Sequence, residues 1–175
     1  FLIRLLQEPY KVATLSRGYK RKSKGFVLAD DNSDAEILGD EPFQYYRKFP
    51  KLTVAVDANR VNGIEQLLLK DTDLEVILLD DAFQHRKVQA GFYILLTTFD
   101  ALYSDDFLLP MGNLRESSCG ANRAQIVVVT KCPNNLSEND KCKIAQKLNL
   151  NEKQQLFFSQ IVYDYVVKNQ EDTLF

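Results

Sequence analysis

The sequence is poor in the residues that build zinc sites and disulfide frameworks. It has three cysteines and one histidine among 175 residues. The cysteines, Cys119, Cys132 and Cys142, lack the close spacing of zinc ligands, and their odd number argues against a disulfide framework. We therefore expect the protein to work in a reducing compartment such as the cytosol.

Long apolar runs and a strong net charge are also missing. No run approaches the ~18 apolar residues of a membrane span, and we expect no signal peptide. The formal net charge is −2, so there is no broad basic field and we expect no nucleic-acid partner. With 45% hydrophobic residues and no internal repeat, the chain fits a single domain over residues 1–167, followed by a polar tail over 168–175.

The amino-terminal segment resembles part of a helix. The chain starts at Phe1, and its one methionine is Met111. Leu2, Leu5 and Leu6 have helical spacing, but no N-cap residue precedes them. We expect this segment to be the second half of a helix, and the sequence to be an internal piece of a larger protein.

Short apolar strands alternate with amphipathic helices along the chain. Strands are predicted over 10–15, 26–29, 52–56, 76–79, 91–97, 125–130 and 156–163. Helices are predicted over 1–8, over 42–49, after Asp57 up to about Lys70, and over 137–148. This alternation predicts an α/β fold, a mostly parallel sheet with helices on both faces.

One strand leads directly into a pair of carboxylates. The apolar run Val76-Ile77-Leu78-Leu79 stops at Asp80 and Asp81 and is predicted to be buried on both faces of the sheet. Parallel sheets bind their ligands in a crevice at the carboxyl ends of the strands, so both acids are expected to lie at that crevice. Nucleotide enzymes hold Mg²⁺ with such an aspartate. The alternative is an ordinary polar turn.

Two further segments carry charged residues at predicted element ends. The loop 16–25 has five cations within eight residues, which suits a polyanion such as phosphate, although a solvated basic loop is the alternative. Asp40 or Glu41 is a candidate N-cap for the helix that contains Pro42, and Asp57 for the next helix. The loop 98–122 is too long for a passive connection, so we expect it to be functional.

Together these segments resemble the tetraacyldisaccharide 4′-kinase family of lipid A synthesis. The matching motifs are LSRGYKRKSKG at 15–25, GDEP at 39–42, the segment around Arg60, LDDAFQHRKV at 79–88 and LLPMGNLRE at 108–116. They follow the family's order and cover most of residues 10–130. The pair formed by DD-x-x-QH-R and LLP-x-G-x-LRE is the specific part of the resemblance.

The resemblance implies a truncated P-loop NTPase-like core, Mg²⁺, and transfer of the ATP γ-phosphoryl to the 4′-hydroxyl of a lipid disaccharide 1-phosphate. The parent enzyme is then expected at the cytoplasmic face of a Gram-negative inner membrane, with this piece itself soluble. Implied metal ligands are Asp80, Asp81 and Glu116, and the implied catalytic group is Asp40, supported by Glu41. Implied phosphate or substrate ligands are Arg17, Arg21, Arg60, Arg115 and His85. For His85, the alternatives are a hydrogen bond to Asp81 and a purely structural role.

The sequence departs from the family pattern at four points. The sequence contains no Gly-Lys-Ser or Gly-Lys-Thr, so the family's phosphate loop is not in it. The family's membrane-associated helix and a further histidine near its carboxyl terminus are not matched either, and Ala82 stands where the family has glycine. The alternatives are therefore a switch or partitioning ATPase of the same fold, or a piece that is non-catalytic when isolated.

Overall fold

The computed structural model describes residues 1–162. The chain forms two compact units, of which the first is Phe1–Gln89 and the second begins at Ala90. Both contain parallel strands and helices, which confirms the predicted α/β class. The single domain over 1–167 stays a prediction, and the predicted polar tail, 168–175, lies outside the described residues.

The first unit is built on a four-stranded sheet. Its strands are β1 (Val12–Ser16), β2 (Val27–Leu28), β3 (Thr53–Val56) and β4 (Val76–Leu79). They lie in the order β2-β3-β1-β4, with β3, β1 and β4 parallel and β2 antiparallel to β3. The carboxyl ends of the three parallel strands therefore share one edge of the sheet, where α/β proteins bind ligands.

Helices cover both faces of this sheet, as predicted. They are α1 (Leu2–Leu6), α2 (Ala35–Leu38), α3 (Asp40–Lys48) and α4 (Arg60–Lys70). Ile3 of α1 and Tyr45 of α3 pack with Val12 and Val54 on one face. Leu67 of α4 packs with Leu15 and other side chains on the opposite face. This division follows from the two-residue period of a strand, which sends successive side chains to opposite faces.

Burial of these faces stabilises the unit and holds its strand ends in place. Leu15 and Leu67 are 0% and 1% exposed. Each such side chain contributes roughly 1.5–3 kcal/mol relative to an exposed one. The rigid part of the unit thus lies directly beneath the loops that follow β1, β3 and β4.

Over the described residues 90–162, the second unit has a three-stranded parallel sheet. Its strands β5 (Ile94–Thr98), β6 (Ile126–Thr130) and β7 (Gln155–Phe158) lie in that order. Helix α5 (Glu138–Leu148) precedes β7 and is capped by Ser137, as predicted. The loop between β5 and β6 contains two 3₁₀ helices, Tyr103–Asp105 and Ser118–Arg123.

The burial of β4 and the ends of α1 and β7 are among the local predictions that differ from the structure. All four residues of β4 are half-buried rather than buried on both faces, because β4 is an edge strand of its sheet. Helix α1 ends at Leu6 instead of residue 8, three positions before the helix-breaking Pro9. Strand β7 ends at Phe158, and Tyr163, the predicted end, lies outside the described residues. Among residues 1–162, no helix is long and apolar enough to span a membrane.

Candidate functional site

The candidate site lies where β1, β3 and β4 end in the first unit. Ser16, the last residue of β1, is in register with Val56, the last residue of β3. The amide of Asp57 donates to the carbonyl of Ser16 at 3.0 Å, and the amide of Asp80 donates to the carbonyl of Leu15 at 3.2 Å. The backbone pairing thus extends one residue beyond β3 and β4, which fixes both aspartates at the sheet edge.

The carboxylate pair Asp80 and Asp81 sits at this edge, as predicted. Asp80 is half-buried, and its Oδ2 accepts a hydrogen bond from the Ser16 hydroxyl at 3.4 Å. Asp81 is exposed and has a φ of 44°, in the left-handed region that aspartate tolerates better than most residues. The chain therefore turns sharply after Asp80, and the turn leaves Asp81 at the surface of the site.

The donors at this edge fit a magnesium ion that is also held by phosphate. Two adjacent carboxylates and a hydroxyl are hard oxygen donors of the type that Mg²⁺ prefers. Within residues 1–162, no cluster of three or more histidine, cysteine or acidic side chains is arranged to hold a metal. Mg²⁺ normally binds through one or two carboxylates together with substrate phosphates and water, so this donor set suits it.

The two predicted phosphate ligands in the basic loop after β1, Arg17 and Arg21, have different surroundings. Arg17 is exposed. Arg21 instead donates to the carbonyl of Val56 at 3.5 Å and to the Ser23 hydroxyl at 3.1 Å, and its other terminal nitrogen donates to the Gly25 carbonyl. Burial lowers the pKa of the Arg21 guanidinium, partly opposed by the negative charge of Asp57. Arg21 therefore shapes the loop, and its phosphate contact stays a prediction.

Asp40 is placed by the glycine before it rather than by a capping bond. Gly39 occupies the N-cap position of α3 with a φ of 91°, and no side chain caps the helix. A Cβ on Gly39 would lie 3.1 Å from the carbonyl oxygen of Tyr19, so only glycine allows this contact with the basic loop. The predicted capping by Asp40 or Glu41 is wrong. Both residues lie in the first turn of α3, where their negative charges interact favourably with the helix dipole.

Tyr45 of α3 packs on the first sheet beside Val12 and Val54. The pKa of its hydroxyl is raised, first by burial and then by the negative charges of Asp80 and Glu41. The sequence did not point to Tyr45.

Asp57 also has a role that differs from its predicted one. The N-cap of α4 is Asn59, whose side chain accepts from the Asn62 amide. The Asp57 carboxylate accepts instead from the Asn59 amide at 2.8 Å and from the Asn62 side chain at 2.6 Å. Asp57 is 3% exposed, so it anchors the start of α4 from below.

Arg60, predicted to bind phosphate, is 3% exposed. Its two terminal nitrogens donate to the backbone carbonyls of Asp57 and Asp80, and its Nε has no partner among the described residues. Burial lowers the pKa of its guanidinium, and the positive charge of Arg17 lowers it further, while Asp80, Asp81 and Asp57 oppose the shift. Two cations and three acids thus share this edge.

His85 lies in the turn after Asp81. Its backbone amide donates to the Ala82 carbonyl at 2.8 Å. Its Nε2 is buried and has no hydrogen-bond partner within residues 1–162. A bond from Nε2 to Asp81 is therefore not made, and a phosphate contact stays a prediction.

The remaining predicted site residues, Arg115 and Glu116, lie in the second unit. Arg115 is exposed. The two oxygens of Glu116 accept from Arg123 at 2.7 and 3.2 Å, in an ion pair whose side chains are mostly buried. Both oxygens of Glu116 thus have a protein partner, and its role as a metal ligand stays a prediction.

Sequence reasoning missed Ser16 and Tyr45 and misassigned Asp57. Ser16 and Asp57 directly follow apolar strand segments, so the rule that drew attention to Asp80 applies to them equally. Tyr45 has no comparable signal, because its position depends on how α3 packs on the sheet.

Comparison with known proteins identifies the relatives of this chain. The model of the family described as LpxK, tetraacyldisaccharide-1-P 4′-kinase, matches residues 1–173. A tetraacyldisaccharide 4′-kinase of Flavobacterium johnsoniae is 66% identical over 99% of this chain and 51% of the relative. That of Bacteroides thetaiotaomicron is 57% identical over 93% of this chain and 43% of the relative. The chain thus spans about half the length of the curated relatives it matches.

A solved structure shows the same fold. The crystal structure of LpxK from Aquifex aeolicus in complex with ATP superposes with a TM-score of 0.64 and 29% identity, covering 94% of this chain and 66% of that one. This likeness confirms the predicted P-loop NTPase-like core. From the family match over nearly its whole length, the chain belongs to the tetraacyldisaccharide-1-P 4′-kinase family.

Proposed function

We propose that the full-length protein transfers the γ-phosphoryl group of ATP, with Mg²⁺, to the 4′-hydroxyl of a tetraacyldisaccharide 1-phosphate. The observation that carries this proposal is the shared edge of β1, β3 and β4, where Asp80, Asp81 and Ser16 lie. The family match supports the lipid kinase over the alternative of a switch or partitioning ATPase. Since the relatives act in lipid A synthesis, the protein would meet its substrate at a membrane surface.

Phosphoryl transfer requires positioning and charge stabilisation more than covalent work by the protein. Asp80 and Asp81 would hold Mg²⁺, which when bound neutralises charge on the phosphate oxygens. The half-buried position of Asp80 and its bond from Ser16 restrict the directions in which its carboxylate can point.

The acceptor hydroxyl is assigned to the start of α3. Asp40 is exposed there, and its carboxylate would orient or deprotonate the hydroxyl, with Glu41 beside it. The contact between Gly39 and the basic loop brings Asp40 close to the backbone of Gly18 and Tyr19. Arg17, exposed in that loop, would bind a substrate or nucleotide phosphate, with Arg115 as a further candidate.

The experiment uses the full-length protein with radiolabelled ATP and a tetraacyldisaccharide 1-phosphate. We expect label on the lipid, on the 4′-hydroxyl, in a reaction that requires Mg²⁺. Hydrolysis of ATP without lipid labelling would contradict the proposal and favour the switch ATPase.

Residues 1–175 alone should behave differently. They contain no glycine-rich loop ending in Lys and Ser or Thr, which supplies the backbone amides and the lysine that hold the β- and γ-phosphates. We expect no transfer, and an affinity for MgATP of about millimolar at best. Turnover by residues 1–175 would show that such a loop is dispensable.

A further inference from the structure

Arg60 is buried in a place that is unfavourable for a cation. It is the first residue of α4, and positive charge at a helix N-terminus is opposed by the helix dipole. Its 3% exposure adds a desolvation cost. A residue whose task is to bind phosphate would be expected to reach the surface, as Arg17 does.

The guanidinium is used instead to join two strand ends. One terminal nitrogen donates to the carbonyl of Asp57, directly after β3, and the other donates to the carbonyl of Asp80, directly after β4, at 3.3 Å. Strand β1 lies between β3 and β4, so these two ends have no backbone bond to one another. Arg60 spans the end of β1 and connects them. The planar fork of arginine can reach two acceptors in this way, whereas lysine has one nitrogen.

The bond to Asp80 acts on the backbone of Asp81. The Asp80 carbonyl belongs to the peptide group that leads into Asp81, whose φ of 44° is uncommon for a residue with a side chain. An uncommon backbone conformation persists when surrounding contacts hold it. The bond from Arg60 holds the plane of this peptide, and with it the direction in which the Asp81 carboxylate leaves the turn.

We propose that Arg60 is a positioning residue that fixes Asp80 and Asp81 for metal and nucleotide binding through the carbonyls of Asp57 and Asp80, and that it does not contact phosphate. This inference rests on the proposed function for its kinetic consequences. The phosphate contact at this edge is then left to Arg17, which directly follows β1 and is exposed.

The first test needs no substitution. Ligand-free, full-length protein is treated with phenylglyoxal, which modifies accessible arginines, and the sites are mapped by mass spectrometry. We expect modification of Arg17, with protection by MgATP or by the lipid, and no modification of Arg60 under any condition. Modification of Arg60 in the free protein, with protection by MgATP or the lipid, would make it a phosphate ligand and overturn the proposal.

The second test compares Arg60→Lys with Arg47→Lys in the full-length protein. Arg47 is an exposed arginine near the end of α3, so it controls for the chemical change alone. Supporting contacts of this kind typically contribute 10–100-fold to metal affinity or activity. We expect Arg60→Lys to raise the Mg²⁺ concentration for half-maximal rate by about that factor, with the KM of ATP and of the lipid and their salt dependence little changed.

The outcomes separate three roles. A raised KM with a weaker salt dependence and a normal Mg²⁺ requirement would identify a phosphate ligand, because that contact is a direct charge interaction. A lowered thermal midpoint with normal kinetics would reduce Arg60 to a purely structural role. Either result overturns the proposal.

A third measurement tests the proposal without measuring activity. Hydrogen exchange of the full-length Arg60→Lys protein should speed up in the segment 80–85 and remain unchanged in β1 and β3. Unchanged exchange at 80–85 would overturn the positioning role. Should the wild-type protein fail to phosphorylate the lipid, the proposed function fails, while the labelling and exchange results still decide where Arg60 acts.

Discussion

The hydroxyl of Ser16 donates a hydrogen bond to the Asp80 carboxylate across 64 positions of sequence, with an oxygen–oxygen distance of 3.4 Å. Ser16 ends β1, and Asp80 follows β4, which is hydrogen-bonded to β1 along its whole length. The bond therefore depends on strand order, and it selects one direction for a carboxylate that would otherwise rotate. A donor to a proposed metal ligand should affect metal use more than stability.

We expect Ser16→Ala in the full-length protein to lower kcat/KM about fivefold, because the bond is long and a hydrogen bond to a charged group contributes about 1 kcal/mol at this length. The loss should be largest at limiting Mg²⁺. Ser33→Ala is the matched control, since the Ser33 hydroxyl donates to Asp30 at 2.9 Å in an exposed turn. Equal kinetic losses in the two variants would show that the hydrogen bond from Ser16 to Asp80 has no specific effect on catalysis.

Gly39 offers a test of how Asp40 is placed. Gly39→Ala should destabilise the protein by about 1–3 kcal/mol, because a left-handed conformation is strained and the new Cβ meets the Tyr19 carbonyl. Gly25→Ala has a comparable φ of 70° but nothing within 4 Å of the new Cβ. Denaturant unfolding should show the smaller loss for Gly25→Ala, and kinetic assays should show a fall in kcat only for Gly39→Ala. A kcat loss in both would remove the special role of the Gly39 contact.

Substitutions of Arg17 and Arg21, which lie four residues apart, should have different effects. Arg17→Ala should raise the KM of a phosphate-bearing substrate in a salt-dependent manner, with little change in thermal midpoint. Arg21→Ala removes donors to Val56, Ser23 and Gly25, so it should cost about 1–2 kcal/mol of stability. Steady-state kinetics at two salt concentrations and thermal unfolding decide between them. If Arg17→Ala is kinetically silent, the basic loop is only a solvated surface.

The parts of this site that follow from local sequence are those at strand ends. An apolar run followed by two acids predicts Asp80 and Asp81 at a sheet edge, whichever strands lie beside it. The position of β4 in the sheet does not follow from that run, since strand order depends on contacts between distant segments. The expected full burial of β4 therefore differed from its half-buried edge position.

The starts of helices were harder to predict than the ends of strands, because aspartate is favoured both at the N-cap and in the first turn. Asp40 and Asp57 were each plausible caps, yet Gly39 and Asn59 hold those positions. Tertiary contacts decide the outcome: Gly39 packs on the backbone of Tyr19, and Asp57 is buried beneath α4. The burial of Arg60 has the same origin, as its two acceptors come from different strands.

Substitutions of Asp81 can separate the effect of its charge from the effect of its backbone conformation. Asp81→Asn and Asp81→Gly can keep a φ of 44°, whereas Asp81→Ala should cost a further ~1 kcal/mol of stability. All three remove the carboxylate, so all three should raise the Mg²⁺ requirement of the full-length enzyme. Denaturant unfolding and Mg²⁺ titration of the rate measure the two effects. A normal Mg²⁺ requirement in Asp81→Asn would leave Asp80 as the direct ligand.

Asp40 should be distinguishable from both the metal ligands and a helix cap. If its carboxylate orients or deprotonates the acceptor hydroxyl, Asp40→Asn should lower kcat about 10²–10⁴-fold. The Mg²⁺ requirement should change little, unlike that of Asp80→Asn, because Asp40 acts on the nucleophile. The cost in stability should be about 0.3–1 kcal/mol, the value of one charge near a helix N-terminus.

Asp34 supplies the control for this prediction. Its side chain is a true N-cap, accepting from the Ile37 amide of α2 at 2.8 Å. Asp34→Ala should therefore lower stability by about 1 kcal/mol and leave turnover nearly normal. The measurements are kcat, the Mg²⁺ dependence of the rate, and the thermal midpoint of each full-length variant. An Asp40→Asn enzyme that matches Asp34→Ala, less stable but active, would remove Asp40 from the chemistry and leave only its favourable charge at the start of α3.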